Sequence, residues 1–326
     1  MLVASEADEA TRILREHPDP PMQPDTLLLS VDGAMIPLVH GQWTEVRTLV
    51  VGEVQPATPA PNGSGIHTTS LSYFSRRTDS TTFSDLATGE LHRRGIEVAR
   101  RVGAVVDGAD WCQTFVSYHY PEAVRILDFP HAAEHLAPIA ATAASMGVSL
   151  PPATLTAAGI TLPPEDPNAW SQVLKLVGPD AIMPAVRATV AAQPTNTDLA
   201  RHLSYLEARG DQMQYPHFQT EGWPIGSGMV KSANKLVVED RLKGAGMHWA
   251  DTNVNPLLAL RNAVCNDRWD ACWTVIEREL RREVVVTRQQ RRSARQAARL
   301  PAAPAPPPDA SPVTPPPVTP PPVTPP

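Results

Sequence analysis

This sequence predicts a mixed α/β domain, on three observations. Three strand-like segments follow one another near the front, joined by loops with no helical pattern between them. From residue 83 onward, short apolar runs alternate with segments of helical spacing, which implies crossover connections and a partly parallel sheet covered by helices. The length, 326 residues, suits one large domain or a core with an appended second one.

The elements follow in order. The opening 26 residues are polar and proline-containing and read as a flexible lead-in. LLLSVDGAMIPL, 27–38, is an apolar strand carrying Asp32, with a turn or bulge at Gly33. EVRTLVVGEV, 45–54, is a valine-rich second strand, and HTTSLSYFSRR, 67–77, a β-branched and aromatic third. Joined by loops alone, the three form an antiparallel meander. Phe83, Leu86, Leu91 and Val98 then recur at helical intervals across 83–102, with weak points at Gly89 and Gly95.

A short strand ends at Asp107, a helix runs from Trp111 to His119, and VRILDF, 124–129, is the next strand. Pro130 suits the first turn of the helix after it. Residues 147–200 are rich in Pro, Ala and Thr with short helical patterns, and read as part of an insertion. In 229–242 an apolar stripe through Val230, Ala233 and Val237 marks a helix with Ser227 as N-cap and Gly244 and Gly246 as its stop. A last helix, NPLLALRNAV, leads into a basic helical segment at 276–300. The tail, 301–326, holds 14 of the 36 prolines and cannot supply a core, so it is expected to be disordered.

Composition narrows the function classes. Three cysteines, Cys112, Cys265 and Cys272, exclude a disulfide framework and an all-thiolate zinc site. No apolar run approaches the ~20 residues of a membrane span and no signal peptide opens the chain, which predicts a cytoplasmic protein with no membrane partner. The formal charge is -6, yet 278–299 carries eight arginines against Glu279 and Glu283, leaving the remainder at -12. Those arginines, Arg278, Arg281, Arg282, Arg288, Arg291, Arg292, Arg295 and Arg299, suit a polyanion such as DNA; a solvated helix is the other reading.

Two aspartates stand out chemically. Asp32 and Asp107 each lie in or at the end of an apolar strand and each precede a glycine. Carboxylates in such runs need something to satisfy them, because an unpaired buried charge is costly. On neighbouring strands they would present two hard oxygen ligands to a divalent cation such as magnesium. An Asx turn with the following glycine is the local alternative. His131, Glu134 and His135 match the H-x-x-E-H pattern of a zinc metalloprotease, without a third ligand or a specific pattern downstream.

Several longer blocks carry a resemblance: VDGAMI around Asp32, VVDGADW at 105–111, ILDFPHAAEHL at 126–136, YLEARGDQMQYPHF at 205–218, GWPIGSGMVKSANKLVVEDRLKGAGMHW at 222–249, and LALRNAVCNDRWDACW at 258–273. The chain resembles DDE-type transposases of the ISKra4 group of bacterial insertion sequences, more distantly Mutator-like elements, over roughly residues 27–275. The resemblance implies a ribonuclease-H-like mixed sheet flanked by helices, with a mostly helical insertion at about 137–225. It implies Mg²⁺ or Mn²⁺ as cofactor, Asp32 and Asp107 as metal ligands, and Asp128 and His131 as a D-x-x-H pair supporting the site. The partners it implies are DNA, in the form of insertion-sequence ends, and further copies of the chain in a homo-oligomer.

Two departures alter those expectations. Where the family carries glutamate in a GSG-x-V-E block, this chain has Lys231, which has three donors and no lone pair for a metal. Glu239 is no substitute, since eight helical residues span about 12 Å. The chain also reaches its first catalytic strand by residue 27, short of the family's additional N-terminal region. The expectation is impaired or absent DNA strand cleavage and transfer, with a noncatalytic nucleic-acid-binding or assembly remnant as the alternative.

Overall fold

A computed structural model describes residues 2–20, 23–60 and 63–298; the proline-rich tail and Arg299 lie outside them. The chain divides into two units, Met1–Ile276 and Glu277–Pro326.

The first unit is built on a five-stranded mixed sheet flanked by helices. Its strands are β1 (Thr26–Pro37), β2 (Trp43–Val54), β5 (Thr68–Arg76), β6 (Arg101–Val106) and β7 (Val124–Leu127), in the order β5-β2-β1-β6-β7. A small hairpin of β3 (Thr58–Ala60) and β4 (Gly63–Gly65) lies between β2 and β5 in sequence. β2 is antiparallel to both of its neighbours, β1 and β5, while β6 and β7 run parallel to β1.

Alternation along β1 assigns its two faces. Leu27, Leu29 and Val31 join Leu49, Val51 and Phe74 in a core under α2 (Ser80–Arg93) and α3 (Asp110–His119). Leu28, with Val105, Ile126 and Leu127, faces the opposite core beneath α4 (Phe129–Ser145). That second core continues into five helices: α5 (Pro152–Ala157), α6 (Pro167–Leu176), α7 (Met183–Ala191), α8 (Thr197–Glu207) and α9 (Tyr215–Thr220). Trp170, Trp223 and Tyr215 are fully buried there. Further along the sheet, Ala34, Ile36 and Val46 pack on Val237, Val238, Val254 and Leu258.

Several expectations change. The polar opening contains a helix, α1 (Leu2–Glu16), rather than a flexible lead-in: Ala10 and Ile13 are buried, and Glu6 pairs with the buried Arg76 of β5. The helical spacing through Val98 is not realised, because α2 stops at Arg93 and Gly95 takes φ 68, the left-handed conformation that ends helices. α4 continues unbroken past residue 137 to Ser145.

The helix expected over 229–242 is interrupted. It consists of α10 (Gly228–Ala233), a π-helical segment at Asn234–Glu239, and α11 (Asp240–Leu242). Ser227 does not cap it through its side chain. α12 (Asp251–Cys265) ties this region to β5: Asn262 accepts from Ser75 N at 3.0 Å and donates to Ser75 O at 3.1 Å, and Asn266 does the same for Tyr73 at 2.8 and 2.7 Å.

α13 (Trp269–Ala297) runs across the boundary between the units. In the second unit Arg278, Arg281, Arg282, Arg288, Arg291, Arg292 and Arg295 are all exposed. Arg281 pairs with Glu277 at 2.6 Å and Arg282 with Glu279 at 3.8 Å. No helix among the described residues is long and apolar enough to cross a membrane.

Candidate active site

Strand register brings the aspartates together. β1 pairs with β6 in parallel through Leu29 and Ala104, so Asp32 and Asp107 each stand three residues further on. β6 pairs with β7 through Val106 and Leu127, so Asp107 and Asp128 are each the next residue. Asp107 and Asp128 therefore directly follow the ends of β6 and β7, beside Asp32, which lies within β1 just past its parallel pairing with β6.

Each of the first two uses one oxygen locally. Asp32 Oδ1 accepts from Gly33 N at 2.7 Å, and Asp107 Oδ1 accepts from Ala109 N at 2.8 Å. Asp107 thus forms a local turn, whereas Asp32 lies inside β1 where no turn forms, and in both the local bond uses Oδ1 alone. Burial raises the Asp32 carboxyl above its ordinary value and the negative charge of Asp107 adds to the rise, while the Gly33 hydrogen bond, His131 and Lys231 oppose it. The buried Cys112 thiol is pushed up by desolvation and by both aspartates, and it donates to Val31 O at 3.7 Å.

Asp128 is wholly buried and doubly engaged: Ser227 N donates to its Oδ1 at 2.7 Å and Lys231 Nζ to its Oδ2 at 3.2 Å. The D-x-x-H pair, Asp128 and His131, is not joined by a hydrogen bond. His131 Nε2 lies 3.7 Å from Asp128 Oδ2, the oxygen that accepts from Lys231, and the ring's Nδ1 is 3.4 Å from Glu134.

Lys231 itself is about half exposed, and its ammonium neutralises a buried carboxylate. Glu239 pairs with Lys243 at 2.9 Å.

Sequence reasoning did not single out the residues that frame these carboxylates. Asn234, at the start of the π-helical segment, donates Nδ2 to Asp32 Oδ2 at 3.2 Å. Its position three residues after Lys231, one turn along the same helix, was the available signal. Tyr205 and Arg209 on and beyond α8 clamp the Asp107–Gly108 turn: Gly108 N donates to Tyr205 Oη at 2.9 Å, and Arg209 donates to Gly108 O. A Cβ at Gly108 would overlap both side chains, which explains the glycine.

The H-x-x-E-H residues do not gather around one point. His135 stacks on Tyr205 with ring centroids 3.5 Å apart and its Nδ1 is 3.1 Å from Nδ1 of His202. Among the described residues no three His, Cys, Asp or Glu side chains form a group that could hold a metal ion. No family model matches the chain, and no curated protein matches it.

Proposed function

We propose that this chain is a transposase-derived, ribonuclease-H-like protein of the DDE type, built for Mg²⁺-dependent cleavage and transfer of DNA strands at insertion-sequence ends, with turnover impaired by Lys231. The observation that carries the reading is the row of carboxylates: Asp32 within β1, and Asp107 and Asp128 directly after the adjacent parallel strands β6 and β7. The order β5-β2-β1-β6-β7, an antiparallel meander beside two parallel strands, is compatible with a ribonuclease-H-like arrangement.

The donor set suits a hard divalent cation. Asp32 and Asp107 offer carboxylate oxygens, and the burial and like charge that raise Asp32 are relieved by a positive ion between them. Asp32 and Asp107 would hold it; when bound, Mg²⁺ or Mn²⁺ supplies Lewis-acid polarisation of a phosphodiester and its attacking oxygen. The chain's own residues fix the carboxylates beforehand, through the amides of Gly33 and Ala109 and the Tyr205–Arg209 clamp. Such preorganisation spares reorganisation during reaction. Lys231 contributes charge but no ligand.

The exposed arginines of α13 supply phosphate contacts that carry no sequence information. A noncatalytic nucleic-acid-binding role is the second reading, favoured by the Lys231–Asp128 pair, which removes one carboxylate from the acidic row.

Nicking and strand transfer on native element-end DNA in Mg²⁺ test the proposal, comparing the full chain, Lys231→Glu, and Lys231→Glu carrying Asp32→Ala. The expected result is weak or absent cleavage by the unmodified chain, a gain with glutamate, and loss of that gain with Asp32→Ala. Strong Asp32-dependent cleavage by the unmodified chain, unimproved by glutamate, would clear Lys231 of the defect. No cleavage by any variant would favour the noncatalytic reading.

A further inference from the structure

Asn234 is 6% exposed, and its amide is satisfied at one end only. Nδ2 donates to Asp32 Oδ2 at 3.2 Å, while Oδ1 is buried without a hydrogen-bond partner. Buried polar atoms are ordinarily paired, so an orphaned amide oxygen beside a carboxylate needs an explanation. The backbone that delivers it is also unusual: Asn234 begins a π-helical segment, a geometry that recurs at functional sites because it redirects a side chain.

We infer that Asn234 is the third oxygen ligand of a divalent cation held by Asp32 and Asp107, and that it serves in place of a carboxylate at position 231. The inference rests on the cation-dependent reading above and names a ligand that reading lacks. Three considerations support it.

The first is shape. A half-turn of the amide exchanges Oδ1 and Nδ2 almost without moving other atoms. The oxygen then occupies the position 3.2 Å from Asp32 Oδ2. Adjacent ligands of an octahedral Mg²⁺ with 2.0–2.1 Å bonds lie about 2.9 Å apart, so the spacing is that of neighbouring ligands within a few tenths of an ångström. Without a cation, the same half-turn would set two oxygens against each other, which is why the amide presents its donor to Asp32 in the protein alone.

The second is charge. Lys231 neutralises Asp128, leaving Asp32 and Asp107 as two negative charges for one dication. A neutral third ligand leaves that set balanced. The third is chemistry. The amide carbonyl is a hard oxygen donor, whereas the neighbouring Cys112 is a neutral, soft thiol and Lys231 an ammonium.

Binding of Mn²⁺ to the full chain, followed by electron paramagnetic resonance and calorimetry, tests the assignment with no reliance on turnover. The variants are Asp32→Ala, Asn234→Ala and Asn234→Asp, each checked for native circular dichroism. The inference expects Asn234→Ala to weaken Asp32-dependent binding at least about tenfold and Asn234→Asp to tighten it by a similar factor. If Asn234 only steadies Asp32 through Nδ2, the aspartate would repel Asp32 and weaken binding as alanine does, and the inference falls. It also falls if Asn234→Ala binds as the unmodified chain while Asp32→Ala does not bind; the cation-dependent function then stands. Absence of Asp32-dependent binding in the unmodified chain overturns that function and the inference together.

Discussion

Lys231 and Asp128, 103 residues apart in the chain, form an ion pair at 3.2 Å in which the carboxylate is wholly buried and the lysine side chain is 45% exposed. The pair occupies Oδ2 of the third member of the acidic row, whose Oδ1 accepts from Ser227 N. It also makes position 231 a determinant of stability as well as of chemistry.

Replacing Lys231 by methionine leaves Asp128 with only the Ser227 amide as a close donor, and stability should fall by about 1–2 kcal/mol, the lower part of the range for hydrogen bonds to charged groups because the lysine is half in water. Lys231→Glu should fall further in EDTA, through repulsion between two neighbouring carboxylates, and recover in Mg²⁺ by binding linkage. Thermal melts in the two buffers measure both effects. Equal melting of Lys231→Glu with and without Mg²⁺ would count against a cation at this position.

The raised Asp32 carboxyl makes a pH prediction. Its folded-state value lies above the ordinary 3.8, so between the two values the folded protein holds more protons than the unfolded chain and stability falls as pH rises through that window. At neutral pH the ionised group is a net cost. Asp32→Asn should therefore be more stable than the unmodified chain at neutral pH in EDTA, and the advantage should vanish in acid below the ordinary value. Urea midpoints at the two pH values decide it; lower stability of Asp32→Asn at neutral pH would reverse the sign.

Gly103, in the middle of the sheet, lies against the ring of the fully buried Trp223. A Cβ there would come within 2.5 Å of the indole, and a rigid ring in a dense core has little room to yield. Gly103→Ala should cost about 1–3 kcal/mol, and Trp223→Leu in the same chain should recover part of it. Urea unfolding of the single and double variants provides the check.

The pairing of Glu6 with Arg76 holds α1 on the sheet. Arg76 is 1% exposed and burial lowers its guanidinium to about 10, so an unpaired charge there is expensive. Glu6→Ala should destabilise by about 3–5 kcal/mol and Glu6→Gln by less. Hydrogen exchange should report faster opening of α1 in the alanine variant; unchanged exchange would remove α1 from the folded core.

Removal of 278–299 should abolish weak binding to nonspecific duplex DNA, while removal of 301–326, which contains no Lys or Arg, should leave it intact. Anisotropy at several salt concentrations should give a steep log-log dependence for the full chain, as counterion release requires. A salt-independent affinity, or one that survives loss of the arginines, would rule out a phosphate-based role for α13.

Much of the local structure was legible before any tertiary contact. An apolar run, a valine-rich run and a β-branched, aromatic run marked β1, β2 and β5, glycine at 95 marked a helix stop that the spacing through Val98 obscured, and the two Asp-Gly pairs marked carboxylates with chemistry. These are decisions made over a few residues by sterics and periodicity.

What tertiary structure alone decided is which of these groups meet. The sheet order sets Asp32, Asp107 and Asp128 side by side, the π-helical segment brings Asn234 to Asp32 across 202 residues, and Lys231 finds Asp128 rather than the first two aspartates. The polar opening docks as α1 through the buried Ala10 and Ile13 and the pairing of Glu6 with Arg76, buried on β5. Charge compensation and burial act between segments distant in sequence, so neither the composition of a strand nor the spacing along a helix encodes them until the layers have packed.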